Sequence, residues 1–207
     1  MQQVAQTKLN TTRVVSSEDK QQHSGAELSR PSASLHRNPM RTIRIEKLTL
    51  NVGAGTDQNA LNKGVQLLTN ITGKPPVKTI TQKRIANWGI RPGLPIGCKI
   101  TLRGAQATEL IPRLLAAKEN ELPDSCFDDH GNVAFGIHEY INVPGVKYDP
   151  SIGITGFQAC ITLERPGYRI KRRKIAKQKV NPKHRVTQDQ AIQYFKETYK
   201  IQVRGEE

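Results

Sequence analysis

Residues 95–104 read PIGCKITLRG, and the architecture expected of the chain follows from their alternation. Ile96, Cys98, Ile100 and Leu102 fall on one side of an extended chain, while Lys99, Thr101 and Arg103 fall on the other. A period of two is that of a half-buried β-strand, because successive side chains leave opposite faces of the pleat. The apolar side belongs to a core. The other side, two cations and a hydroxyl, suits a phosphate backbone.

On either side of this strand the alternation recurs. Over residues 42–52 the apolar positions are Ile43 and Ile45, then Leu48, Leu50 and Val52. Their parity changes between Glu46 and Lys47, which implies a bulge or a break there. Beyond it, Thr49 and Asn51 point to the polar side. Gly53, Ala54 and Gly55 make a turn, and Thr56 or Asp57 caps a helix with Leu61, Val65 and Leu68 on one face. Gly73 ends that helix, and Pro75 and Pro76 prevent its continuation. A short strand follows near 77–81, then a glycine- and proline-containing loop at 82–95. A second helix is expected to include Leu110, Ile111, Leu114 and Leu115, with Pro112 marking either its start or a kink. Val133, Phe135 and Ile137 alternate, as do Phe157, Ala159, Ile161 and Leu163, giving two more strands. Thr187 and Gln190 form a capping-box pattern before a last helix with Ala191, Ile192, Phe195 and Tyr199 inward. No internal repeat is present. The expected fold is α+β, an antiparallel sheet with helices packed on one face. Residues 1–38, rich in Gln, Ser and Thr, read as an N-terminal extension, disordered or ordered by a partner, and 39–207 as the folded domain.

Charge narrows the function. The 207 residues carry 32 Lys and Arg against 18 Asp and Glu, a formal charge of +14, which favours a polyanionic partner. No apolar run approaches the ~20 residues of a membrane-spanning helix. The first twenty residues lack the apolar centre of a signal peptide, and Glu18 and Asp19 fit poorly with a transit peptide. Cys98, Cys126 and Cys160 are too far apart in sequence, and odd in number, for a disulfide framework or a zinc motif. They read as buried or half-buried thiols of a reducing cytoplasm.

The distribution says more than the sum. From Gln58 to Thr108 there is no acid, but Lys63, Lys74, Lys78, Lys83, Arg84, Arg91, Lys99 and Arg103 are present. From Arg165 to Arg185 there are ten Lys and Arg and again no acid. Between them, 109–139 reverses sign. Two basic surfaces and one acidic surface are expected, and phosphates would relieve the mutual repulsion of the basic ones. His184, flanked by Lys183 and Arg185, reads as a phosphate contact. Trp88 either stacks on a nucleotide or anchors its loop in the core.

Catalytic readings are weak. The turn at 53–55 resembles the start of a dinucleotide loop, but Gln58 stands where a third glycine belongs, and Asp57 would oppose a phosphate. No Walker-type loop exists. His130 and His138 lie near Asp128, Asp129 and Glu139 in sequence, but at no recognised metal spacing. No cofactor or metal is expected. The rivals to an RNA-binding structural part are an RNA-modifying enzyme using that histidine–carboxylate cluster, or a free RNA chaperone.

Four segments, NPMRTIRIEKLTLNVGAG, GKPPVKTITQKRIANWGIRPGLPIGCKITLRG, YDPSIGITG and KHRVTQDQAIQYF, occur in the order found in the universal large-subunit ribosomal protein five family. The resemblance spans about 38–203, leans to the archaeal and eukaryotic branch, and leaves the residues before Asn38 as a departure from the family's short N-terminus. It implies an α+β domain docked on 5S ribosomal RNA beside the large-subunit ribosomal RNA, in the central protuberance. It implies 5S contacts at Asn51, Lys74 and Thr101, with Lys99 and Arg103 added from the strand pattern. It implies that the basic loop reaches the P-site transfer RNA, with Lys83, Arg84, Trp88 and Arg91 as candidates. Arg172, Arg173, Lys174, Lys183, His184 and Arg185 are the candidates for other ribosomal RNA. Family members also touch a small-subunit head protein across the inter-subunit bridge, and the acidic 109–139 stretch is the candidate for that contact.

Overall fold

The computed structural model describes residues 38–205, so the expected N-terminal extension lies outside it but for Asn38. The chain runs β1 (Arg44–Gly53), α1 (Gln58–Thr72), β2 (Val77–Ile80), β3 (Pro95–Leu102), α2 (Ala105–Ala116), β4 (Glu121–Pro123), β5 (Asn132–Ile137), β6 (Phe157–Glu164), α3 (Gln188–Tyr199) and β7 (Gln202–Arg204). Five strands form one antiparallel sheet in the order β2-β3-β1-β6-β5.

Alternation sets the two faces as expected. Leu50 pairs with Ile100 on one side and Ala159 on the other, and all three are buried. The same core takes Leu61, Leu67 and Leu68 from α1, Ile111 and Leu114 from α2, and Ala191 and Phe195 from α3. The parity change in β1 is a bulge: Ile45 pairs with Leu163 and Lys47 with Thr162, leaving Glu46 unpaired between them. One extra residue there turns Leu48 inward and keeps Lys47 out.

Local signals also hold. Asp57 caps α1, its carboxylate accepting from the Asn59 amide at 2.8 Å, and Gly73 closes the helix at φ 69°. The capping box at Thr187 opens α3. Gly97 is required by the pairing of β3 with β1, since a Cβ there would lie 2.6 Å from the Val52 carbonyl oxygen.

Of the two readings of Pro112, a helix start or a kink, the start is excluded: α2 begins at Ala105, and Pro112 sits inside it. The proline removes one donor, and the carbonyl left over belongs to Thr108, which is exposed to water. The acidic stretch also holds a strand, since β4 pairs in parallel with β7 at the far end of the chain.

Candidate nucleic-acid interface

The face of the sheet away from the helices is built in rows. Val77, Lys99, Asn51, Gln158 and Gly136 stand side by side across all five strands. Thr101, Thr49, Cys160 and Ala134 form the next row, followed by Lys47, Thr162 and Asn132. Apart from the exposed Val77 on the edge strand, these side chains are amides, hydroxyls, cations or small groups, none is a carboxylate, and all are exposed or half-buried. Asn51 donates to Gln158 over a long 3.5 Å, so both amides keep most of their capacity for an outside partner. Lys99 and Thr101 therefore stand together on one surface, with Asn51 between strands. Arg103 lies just past the end of β3, exposed. Lys74 reaches the same end of the sheet, its ammonium donating to Gln106 Oε1 at 2.6 Å. Lys47, Gln158 and Thr162 were not singled out from the sequence, although parity in β6 marks Gln158 and Thr162 as outward.

Lys83, Arg84, Trp88 and Arg91 share a hairpin that projects between β2 and β3. Thr81 and Leu94 close its base, the Thr81 amide donating to the Leu94 carbonyl at 2.9 Å, and Ile85 bridges to Ile90 near the tip. A short 3-10 turn, Ala86–Trp88, forms the tip, with Gly89 at φ 64°. Trp88 is 69% exposed, so it is no core anchor. Among the described residues none of the three cations is within ion-pairing distance of a carboxylate.

The basic connection from β6 to α3, residues 165–187, is organised differently. Tyr168 is buried; its hydroxyl donates to the His184 carbonyl at 3.3 Å and accepts from the Val186 amide at 3.1 Å. The Lys171 ammonium lies 4.7 Å from the centre of the Tyr168 ring. His184 is half-buried, its Nε2 2.9 Å from the Pro166 carbonyl oxygen, and so holds the connection together. Arg173 donates from Nε to the Ala176 carbonyl at 2.7 Å. Lys174, Lys183 and Arg185 are exposed. Arg172, although 41% exposed, is tied to protein: one Nη donates to Glu164 Oε2 at 2.7 Å and the other to Glu46 Oε1. Arg44 takes the second oxygen of Glu164, its Nη2 at 2.6 Å.

The alternatives weighed on sequence find no support in this geometry. The amides of Ala54 and Gly55 both donate to the Ile96 carbonyl, at 2.9 and 3.1 Å, so the glycine turn offers no phosphate cradle. His130 and His138 sit at opposite ends of the six-residue strand β5, which separates them by about 20 Å. No cluster of three metal-binding side chains occurs among the described residues. Burial pushes the thiols of Cys98, Cys126 and Cys160 above the ordinary range, away from the reactive thiolate. No helix of the described residues is long and apolar enough to cross a membrane.

Comparison with known proteins agrees with the geometry. The sequence model described as Ribosomal protein L5 matches residues 38–91, and the model of the same ribosomal family's C-terminus matches residues 95–194. Large ribosomal subunit protein uL5 of Nanoarchaeum equitans is 47% identical over 167 residues, covering 80% of this chain and 98% of that protein. The chain belongs to the ribosomal protein L5 (uL5) family. The uL5 proteins of Sulfurisphaera tokodaii (44% over 167 residues, 80% of this chain and 94% of that protein) and Methanococcus maripaludis (41% over 170 residues, 81% and 94%) are similarly related. The uL5 family is one of ribosomal structural proteins, not of enzymes, and the archaeal relatives agree with the branch expected from the motifs.

Proposed function

We propose that this uL5 chain is a non-catalytic constituent of the large ribosomal subunit in the cytoplasm, and that the open face of its sheet docks on 5S ribosomal RNA. The observation that carries this reading is the carboxylate-free set of rows from Lys99 through Asn51 to Gln158, from Thr101 through Thr49 to Cys160, and from Lys47 to Thr162. Cations neutralise phosphates and fix register, while amides and hydroxyls reach riboses and base edges. Lys74 and Arg103 extend the contact at the end of β3. The hairpin, free of internal ion pairs, contacts P-site transfer RNA through Lys83, Arg84, Arg91 and a stacking Trp88. Lys174, Lys183 and Arg185, with the connection that Arg172, Arg173 and His184 organise, lie against large-subunit ribosomal RNA. The acidic stretch at 109–139 meets a basic small-subunit head protein across the subunit bridge. Residues 1–38 form an N-terminal extension to a single RNA-binding domain at 39–207.

The test is direct. Replacing Thr101 and Arg103 together by alanine removes exposed groups only, so the domain should fold while 5S RNA affinity falls about tenfold or more in a filter-binding titration. Unchanged affinity would exclude this face as the docking surface. Deleting 83–91 should spare 5S binding and impair transfer-RNA placement in reconstituted subunits. Loss of 5S binding on that deletion would show the two contacts to be wrongly divided.

A further inference from the structure

Glu46 and Glu164 are anomalous in this molecule. They are the carboxylates at one corner of a face otherwise suited to phosphate, and their side chains are only 7% and 6% exposed. On charge alone they should weaken RNA binding. We propose that they strengthen it, because together they hold Arg172 and thereby set the basic segment that follows it beside the sheet. The proposal rests on the reading of the sheet as an RNA-docking face.

The geometry starts with the bulge. Glu46 is the extra residue of β1, without a partner in β6, and the bulge re-aims its side chain toward the corner. Glu164, the last residue of β6, reaches the same corner. Two nearly buried carboxylates there repel each other unless a cation stands between them. Arg172 does so with its two Nη groups, and the planar fork of a guanidinium is what allows both acids to be met at once. Arg44 balances the second charge from the exposed side. The cluster of two acids and two arginines is neutral, so Arg172 has no charge left over for a phosphate.

What Arg172 holds is a small self-braced lobe. The Gln178 amide donates to the Ile170 carbonyl at 3.2 Å, and Arg173 closes on Ala176. Residues 171–179 are all exposed and carry Lys171, Arg173, Lys174, Lys177 and Lys179. Among the described residues, Arg172 provides the only side-chain hydrogen bonds from this lobe to the sheet. Beside it lies a groove of about 820 Å3 lined by Lys171 and Arg172, by Lys47, Cys160 and Thr162 from the outer rows, and also by the carboxylates Glu46 and Asp128. Fixing Arg172 therefore fixes the distance between the sheet cations and the lobe cations, and an RNA backbone spanning both meets them already in register. A free lobe would have to be ordered on binding, which weakens association.

The opposing signs make the experiment decisive. In the full chain, Glu46→Gln with Glu164→Gln removes two negative charges from the RNA side. Hydrogen exchange without RNA should show faster exchange over 169–179, and binding to a 5S RNA transcript should weaken about five- to tenfold. Unchanged exchange would show that the acids do not hold the lobe. Faster exchange with equal or tighter RNA binding would show that the held lobe does not serve RNA. Failure of the wild-type chain to bind the transcript would instead remove the docking reading itself, while the exchange result still judges the clasp. Adding Arg172→Gln to the double variant removes the arginine that has lost both carboxylate partners, so a purely local charge effect predicts that affinity recovers; positioning predicts that it stays low. Glu46→Gln alone, at the bulge, serves if the double variant does not fold, with the same directions expected.

Discussion

The hairpin at 81–94 and the connection at 165–187 are both basic and acid-free, both carry an aromatic residue, and they are built on opposite principles. In the hairpin the aromatic Trp88 is 69% exposed at the tip, and the cations around it are unpaired among the described residues. In the connection the aromatic Tyr168 is 6% exposed and serves as the centre on which Lys171, His184 and Val186 are arranged. The hairpin is held only at its base and presents its chemistry outward. The connection is anchored at Tyr168, at Arg172 and at His184, and presents chemistry in a fixed place relative to the sheet. Basic, acid-free sequence thus yields a reaching element in one case and a positioned surface in the other.

The two aromatics put this contrast under the greatest stress. Tyr168→Ala removes a buried ring and strands the Val186 amide, so unfolding free energy should fall by about 3 kcal/mol, seen as a lowered denaturation midpoint. Trp88→Ala removes an exposed ring, so stability should stay within about 0.5 kcal/mol of wild type. Its expected loss is in binding, about 1–3 kcal/mol if the ring stacks on a transfer-RNA base, measured as transfer-RNA affinity of reconstituted subunits. A destabilised Trp88→Ala or a stable Tyr168→Ala would erase the distinction between the two loops.

Much of this was readable from the chain because it is local. Parity in β3 separated Lys99 and Thr101 from Cys98 and Ile100, and the same rule located the bulge at Glu46. Gly73 and the Thr187 capping box announced helix ends within a few residues of themselves. The pairing of Leu122 with Val203 was not readable, since three-residue strands carry too little alternation and their partners lie far apart in sequence. Pro112 left the start of α2 open because a proline ordinarily marks the first turn of a helix, whereas α2 starts after Gly104 at φ 64° with no side-chain cap to announce it. The candidate site shows the same division. Which cations point outward follows from alternation, but which are already neutralised does not. Arg172 meets Glu46 across 126 positions of sequence, and only folding brings the pair together.

That last distinction predicts the smallest effect and a specific one. Lys174 and Arg172 lie two residues apart in the same basic run, one exposed without an acid, the other tied between Glu46 and Glu164. A cation that neutralises a phosphate releases a counterion, so its loss should flatten the plot of log affinity against log salt by ~0.7 for single-stranded RNA and ~0.9 if the duplex coefficient applies. Lys174→Gln should produce that change, which between 50 and 200 mM salt alters affinity only about threefold relative to wild type. Arg172→Gln should lower affinity at every salt concentration and leave the slope as it was, because the charge removed was never facing a phosphate. A flattened slope for Arg172→Gln would mean that its guanidinium leaves the two carboxylates for RNA, and the contrast between the reaching loop and the positioned one would then lie in their aromatics alone.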